Sequence, residues 1–423
     1  MRRRQFASAA ISFPLLNAIV AARVSREPFS RSGLRRLTGV MASYVERGDV
    51  PGVVWLISKQ GVVHSGSVGH SSLNGSKPMQ RDTIFRIASM TKPVSAAAAM
   101  MLVEDCKIRM DEPIHRLIPE LANRRVLKRL DGPLDETMPA KRPITLRDLL
   151  TFRLGIGLLI GSTTDYPITR AMREQKVAVG PHLSEAKGSN EWIRGLAQLP
   201  LMFHPGEKWL YHTGSDVLGV LIERASGQTL ATFLRERIFE PLGMRDTSFE
   251  VPGDKKGRLA GCYALDSQSG KLAPFEAQDR WSIPVAFQSG GGGLVSTIDD
   301  YWAFARMMLN KGAIGKRPAI LSRASIDLMT IDHLTADQKV GSGFFPGYWD
   351  NRGWGLGLSV YTKRDQIAFT PGTYGWDGGF GTSWYADPAG DFTGILMIQR
   401  LLDSSAITMH SDFWTAACAA SSV

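Results

Sequence analysis

The sequence predicts an α+β fold, an antiparallel sheet flanked by helices, with a second lobe that is mainly helical. Three observations carry this. Strand-like runs sit near both ends of the chain, at 52–69 and 353–399. Helical stretches mixed with Gly/Pro loops fill the middle, between 105 and 290. Short turns join the strand runs at each end. Short turns make antiparallel hairpins, whereas parallel strands need long crossovers, so the two ends can join into one sheet.

The elements follow in chain order. Residues 31–49 read as a helix. In "GVVWLISKQGVVHSGSVG" (52–69), two β-rich runs surround Lys59-Gln60-Gly61, which is a hairpin signal. Ala96–Val103 lies in a helix that is apolar almost all round, and such a helix is buried. The stretch 216–239 is amphipathic and broken at Gly227, and 297–312 is a capped helix ending at Gly312. Strands are predicted at 353–361, 379–387 and 391–399, the last two joined by Asp387-Pro388-Ala389-Gly390, and a final helix over about 405–420. One domain therefore spans 31–420. Its segments 31–105 and 290–420 form the α/β lobe and 106–289 the helical lobe, with a cleft between them as the place for a substrate.

Composition narrows the function. The 423 residues are 43% hydrophobic and 21% charged, an ordinary globular balance with room for a large core. No apolar stretch reaches the roughly 20 residues of a membrane span. Residues 1–22, "MRRRQFASAAISFPLLNAIVAA", run from arginines through an apolar stretch to small residues, the organisation of a signal peptide. Arg3-Arg4-Gln5-Phe6 also fits a twin-arginine signal, so an exported, periplasmic protein is expected. The alternative is a short amphipathic helix that stays on a cytoplasmic chain. The formal charge is +10, of which Arg2, Arg3 and Arg4 supply three. The other basic residues are scattered, with no basic run interleaved with aromatics, which argues against nucleic-acid binding. Cys106, Cys262 and Cys418 are odd in number and far apart, and the eight histidines form no cluster, so neither a disulfide framework nor a metal site is expected.

The chemistry concentrates around "FRIASMTKPVSAAAAMML" (85–102). Ser89 and Lys92 are three apart and so share one face of a helix. A lysine at the mouth of an apolar helix is pushed towards its neutral form, which can take a proton from serine. A helix N-terminus also offers N–H groups to an oxyanion. The plainer reading is that Ser89 only caps the helix. About one Ser-x-x-Lys match is expected by chance in such a chain, and a second copy, Ser184 to Lys187, sits in a polar loop setting. Two further stretches supply candidate partners. In "HPGEKWLYHTGSDVLG" (204–219), Tyr211 stands at the entry to an apolar helix, as a proton carrier or as an ordinary core aromatic. In "YGWDGGFGTSWYADP" (374–388), glycines at a strand allow close backbone approach to a ligand, or simply make a turn.

Taken together and in this order, these motifs resemble the serine β-lactamase and penicillin-recognising superfamily, and more closely its class C β-lactamase-like carboxylesterases. "SGGGGLVSTIDDYWAFARMML" (289–309) adds to the likeness, which spans about 35–420. The resemblance implies a β-lactamase/transpeptidase-like fold. It implies Ser89 as nucleophile, Lys92 and Tyr211 sharing the proton work, and the backbone N–H groups of Ser89 and Gly379 as oxyanion hole. Trp376, Asp377, Gly378 and Thr213 fall at substrate-binding positions. An acyl-enzyme is hydrolysed by water, and no cofactor is needed. Three departures shape the expected substrate. Tyr-x-Asn becomes Tyr211-His212-Thr213. Lys-Thr-Gly becomes Trp376-Asp377-Gly378. Phe152-Arg153-Leu154-Gly155 replaces the usual His-Thr-Ser-Gly. Trp376 cannot pair with a β-lactam carboxylate as a basic residue does. Asp377 either recruits a basic group of the substrate or caps its turn. The expectation is a serine hydrolase of small-to-medium uncharged esters. The alternatives are a weak β-lactamase or D-Ala-type peptidase, a transesterase, and a non-catalytic binding protein on the same fold.

Overall fold

The computed structural model describes residues 27–160, 164–177, 187–276 and 281–421. The segment read as an export signal (1–22) and the serine of the second Ser-x-x-Lys copy, Ser184, lie outside these residues.

Seven strands form the main sheet: β1 (Gly52–Lys59), β2 (Val62–Gly69), β3 (Arg352–Trp354), β4 (Ser359–Tyr361), β5 (Tyr374–Asp377), β6 (Ser383–Asp387) and β7 (Phe392–Met397). Their order across the sheet is β2-β1-β7-β6-β5-β4-β3. All neighbouring pairs are antiparallel. The first hairpin runs from Gly52 opposite Gly69 to Lys59 opposite Val62. At its turn Gln60 and Gly61 both have positive φ, 51° and 78°, the conformation that matches the twist of the flanking strands. β1 then pairs with β7, so the two ends of the chain meet in one sheet, as the strand pattern predicts.

The helices that organise the sheet and the site are α1 (Arg31–Glu46), α2 (Thr91–Glu104), α3 (Thr213–Ser226), α4 (Ile298–Leu309) and α5 (Ser404–Ala420). Alternation along β1 sorts its neighbours. Val53, Trp55 and Ile57 pack with Leu37 and Met41 of α1 and Phe413 and Trp414 of α5. Val54 and Leu56 join the larger core with α2, α3 and α4. Both faces of β1 are therefore covered, and seven of its eight residues are buried. Burying each such large side chain stabilises the fold by roughly 1.5–3 kcal/mol relative to exposure. In α2 every residue from Thr91 to Leu102 is buried. The middle of the chain carries the helices Leu146–Leu150, Pro167–Glu174, Ser189–Ala197 and Leu230–Leu234, with two small hairpins, Arg125–Leu127 with Thr137–Pro139 and Cys262–Leu265 with Leu272–Glu276. Gly227 ends α3 with φ of 72°, the left-handed cap that glycine favours.

One predicted strand divides. The run 353–361 forms two strands, β3 and β4, which pair with each other. The cause is Gly357, where the chain turns with φ of 74° and dips against α2. A Cβ there would stand 2.7 Å from Ala96 Cβ and 3.1 Å from the Lys92 carbonyl oxygen. Replacing Gly357 with alanine combines backbone strain with a clash against the central helix. It is expected to lower stability by about 2 kcal/mol, read from the midpoint of urea unfolding.

Candidate active site

Ser89 lies in a single 3-10 turn, Ala88–Met90, that runs directly into α2. The residue capping α2 is Met90, with no side-chain bond, so the Ser89 hydroxyl is not spent as a helix cap. Several bonds hold the turn in place. The Ile87 amide donates to the Leu294 carbonyl at 3.0 Å, and the Leu294 amide donates to Thr91 Oγ1 at 3.2 Å. Tyr301 of α4 donates its hydroxyl to the Met90 carbonyl at 2.9 Å. Thr382 donates to the Ile87 carbonyl at 3.2 Å. Ala88, beside the serine, sits at φ of 43°, a left-handed conformation unusual for alanine. Strain of this kind gathers at functional sites, where the surroundings over-determine the backbone.

Lys92 sits in the first turn of α2 with no solvent exposure. Its Nζ lies 2.9 Å from Ser89 Oγ, 2.5 Å from the Gly291 carbonyl oxygen and 3.1 Å from His212 Nδ1. Burial disfavours the ammonium and outweighs the nearby Asp216 carboxylate, lowering the Lys92 pKa to about 7. The amine is therefore poised between its charged and neutral forms at neutral pH.

Tyr211 comes from a distant part of the chain, just before α3. Its hydroxyl accepts the indole N–H of Trp376, on β5, at 2.8 Å, and it is near enough to Ser89 for that side chain to act on its pKa. Burial raises the Tyr211 pKa well above its usual value, more than Ser89 and Trp376 lower it, so the phenol stays protonated. An aromatic cluster encloses it. Phe152 stands 4.6 Å from Trp354 between ring centroids, Phe344 stands 4.9 Å from Tyr211, and Trp354 stands 4.7 Å from Trp376. Trp209 and Tyr348 complete the cluster. Phe152 thus has a packing role where the sequence departs from the superfamily pattern, and it too has positive φ, 59°.

The turn after β5 comes against the Ser89 turn from the sheet side. A Cβ on Gly378 would fall 2.4 Å from the Ile87 carbonyl oxygen, so only glycine allows this approach. Gly379, next in the chain, is exposed, with open space where a Cβ would point. Ser89, Lys92, Tyr211, Trp376, Gly378 and Gly379 are therefore brought together from α2, α3 and the β5 turn.

Two predicted residues are placed differently. Thr213 is fully buried in the first turn of α3, and its hydroxyl has no partner among the described residues. The Asp377 carboxylate accepts from Ser383 Oγ at 2.6 Å and from the Tyr385 hydroxyl at 2.9 Å, and lies 3.6 Å from His410 Nδ1. Burial alone would raise its pKa, but His410, Ser383 and Tyr385 together hold it below the usual carboxylate range. Its bonds serve the strand pair β5–β6.

Sequence reasoning missed the group behind Lys92. His212 and Asp216 are four apart on the first turns of α3, and Nε2 lies 3.2 Å from Asp216 Oδ2, an ion-pair distance that is out of line for a hydrogen bond. Asp216 Oδ1 also accepts from Ser289 Oγ at 2.6 Å and from the Gly291 amide at 3.1 Å. The i, i+4 spacing was available as a signal, but nothing in one dimension places it beside Lys92. Among the described residues no group of three or more His, Cys, Asp or Glu side chains is set to hold a metal ion. Cys106 and Cys418 are free thiols.

The β-lactamase family model matches residues 37–410. The chain belongs to the β-lactamase family. Within this family it is 40% identical to Protein Rv1367c of Mycobacterium tuberculosis over 359 residues, which cover 84% of this chain and 86% of that one. It is 28% identical to Esterase EstB of Burkholderia gladioli, over 84% of this chain and 87% of the other. Among solved structures it resembles EstCE1, described as a hydrolase with promiscuous acyltransferase activity. The TM-score is 0.77 at 25% identity, over 92% of this chain and 98% of that one. The β-lactamase/transpeptidase-like fold expected from the motifs is thus the fold of the chain, and the protein is a serine hydrolase-like enzyme.

Trp376→Phe keeps an aromatic ring against Trp354 but removes the donor to Tyr211. One lost hydrogen bond of about 1 kcal/mol is expected to slow labelling of the protein by a fluorophosphonate about fivefold, followed as a time course on gels.

Proposed function

We propose that this protein is a carboxylesterase that cleaves small-to-medium, uncharged esters through an acyl-enzyme on Ser89. The observation that carries the reading is the wholly buried Lys92 amine 2.9 Å from the Ser89 hydroxyl, held near neutrality by burial. In this reading the neutral amine takes the Ser89 proton as Oγ attacks the ester carbonyl. The resulting ammonium returns that proton to the departing alkoxide. Tyr211, kept as a phenol, acts as a hydrogen-bond relay beside Ser89 and not as a phenolate base. The backbone N–H groups of Ser89 and Gly379 receive the oxyanion. Water then enters where the alcohol left, Lys92 takes its proton as it attacks the acyl carbonyl, and the ammonium passes that proton to Ser89 Oγ as the acyl–oxygen bond breaks, which releases the acid and restores the neutral amine.

The walls support an uncharged substrate. Trp376 stands where a basic residue would hold a β-lactam carboxylate, and its one N–H is committed to Tyr211. Phe344, Tyr348 and Trp354 extend the apolar surface around it. In this reading Gly378 seats the turn and Asp377 holds it, so Asp377 serves the strand ends and not the substrate. The esterase name of the Burkholderia relative agrees with it. Transfer of the acyl group to an alcohol uses the same groups with the alcohol in place of water. The likeness to EstCE1, a hydrolase with promiscuous acyltransferase activity, favours it as a second reading. Export through residues 1–22 belongs to the same proposal.

Hydrolysis of p-nitrophenyl butyrate tests the reading. Ser89→Ala is expected to reduce it to the uncatalysed background and to abolish fluorophosphonate labelling; full activity in this variant would sink the proposal. Lys92→Met is expected to cost about 10²–10⁴-fold in kcat/KM, the usual worth of a general base. Because the active form of Lys92 is neutral, kcat/KM of the wild type should rise with pH through about 7 and fall as the amine protonates below it.

A further inference from the structure

His212 and Asp216 have no part in the mechanism above, yet they occupy the space next to its base. Lys92 Nζ has three polar neighbours: Ser89 Oγ, the Gly291 carbonyl oxygen and His212 Nδ1. A neutral amine has two N–H groups and one lone pair, so the three contacts must divide between them. The Gly291 carbonyl can only accept. The tautomer of His212 decides the rest. Its Nε2 lies 3.2 Å from Asp216 Oδ2; a nitrogen bearing a lone pair is repelled by an anion this close and one bearing a proton is attracted to it, even off the line of a hydrogen bond, so the ring proton belongs on Nε2. Nδ1 is then an acceptor. With both N–H groups taken by Gly291 and His212, the lone pair of Lys92 is left facing Ser89.

We propose that His212 is a positioning residue for Lys92, and that Asp216 fixes its tautomer so that the neutral amine presents its lone pair to the Ser89 hydroxyl. The proposal rests on the reading of Ser89 as nucleophile and Lys92 as its base. The proton balance is closed. The Ser89 O–H bond breaks as the Oγ–carbonyl bond forms, and the proton passes to Lys92. The ammonium then has three N–H groups for the same three neighbours, and the third is handed to the leaving alkoxide. The His212 proton stays on Nε2 throughout.

Two features of the backbone agree with a selected placement. His212 holds φ of 77° and ψ of −61°, a conformation that costs a histidine about 1–3 kcal/mol unless its surroundings impose it. Gly291 is the one residue type that lets the ring in, since a Cβ there would stand 2.6 Å from His212 Nε2. The charged or titratable groups packed on the imidazole are Lys92 from α2, Asp216 one turn along α3 and the edge-on ring of Tyr211. Ser289 and Gly291 reach it through Asp216. Burial first and the Lys92 charge second hold His212 below its usual pKa, against Asp216, which keeps the ring neutral. Asp216 stays ionised because His212, Ser289 and Lys92 outweigh its burial.

The test compares His212→Gly, His212→Asn and Asp216→Asn with Ser89→Ala, by kcat/KM for p-nitrophenyl butyrate across pH. Glycine and asparagine both tolerate positive φ, so neither variant adds backbone strain. Asparagine alone restores an acceptor, its Oδ1, near the position of Nδ1. The expected result is a loss of about 100-fold in His212→Gly and recovery to within about tenfold of wild type in His212→Asn. Asp216→Asn should move the acid limb of the profile to lower pH, because the carboxylate is the charge that raises the Lys92 pKa. Equal activity in His212→Gly and wild type, equal loss in the glycine and asparagine variants, or an unmoved acid limb in Asp216→Asn would each overturn the proposal. If His212→Gly fails to fold, the asparagine variant and the acid limb of Asp216→Asn decide. Activity in Ser89→Ala would instead overturn the nucleophile reading itself.

Discussion

An amine with no access to water is the constraint around which this molecule is arranged. Lys92 lies on a helix whose residues are buried from Thr91 to Leu102, where a free ammonium would lose its hydration with little in return. The fold meets this in two ways at once. It shifts the amine towards its neutral form, and it surrounds Nζ with a hydroxyl, a carbonyl and an imidazole. Each partner comes from a different part of the chain, so the burial of one side chain ties together α2, the start of α3 and the glycine loop at 289–293.

The glycines and the unusual backbone angles follow from that convergence. The loop at Gly291 must pass close enough for its carbonyl to reach Nζ while its Cα stays clear of His212, which excludes any side chain. The same logic operates on the sheet side, where Gly378 lies against the Ile87 carbonyl, two residues before Ser89. Positive φ at Ala88, Phe152 and His212 marks three other places where site geometry prevails over local preference.

Electrostatics and packing divide the surroundings of Ser89 and Lys92. Asp216 is the carboxylate whose charge acts on the Lys92 amine, and it is held ionised within a polar pocket of Ser289, Gly291 and His212. Around Tyr211 the environment is aromatic. There burial keeps Tyr211 a phenol and Trp376 holds its oxygen. The proposed esterase chemistry rests on this pairing of a polar group with an aromatic one.

Much of this was legible in one dimension. The hairpin at 52–69, the capped helix near 298, the terminal helix and the break at Gly227 all appear where periodicity and turn residues place them, because each depends on neighbours in sequence. Ser89, Lys92, Tyr211 and the Trp376–Gly379 turn were legible as motifs, and the fold they imply is the fold observed. The split of 353–361 into two strands was not, because the cause is contact of Gly357 with a helix some 260 residues earlier in the chain. Nor was the commitment of Asp377 to Ser383 and Tyr385. The pairing of His212 with Lys92 was hidden for the same reason: 120 residues separate them. Local order thus determined the elements and the Ser-x-x-Lys motif. Only tertiary packing decided which polar atoms face the buried amine, since burial and partner choice exist only once distant segments have met.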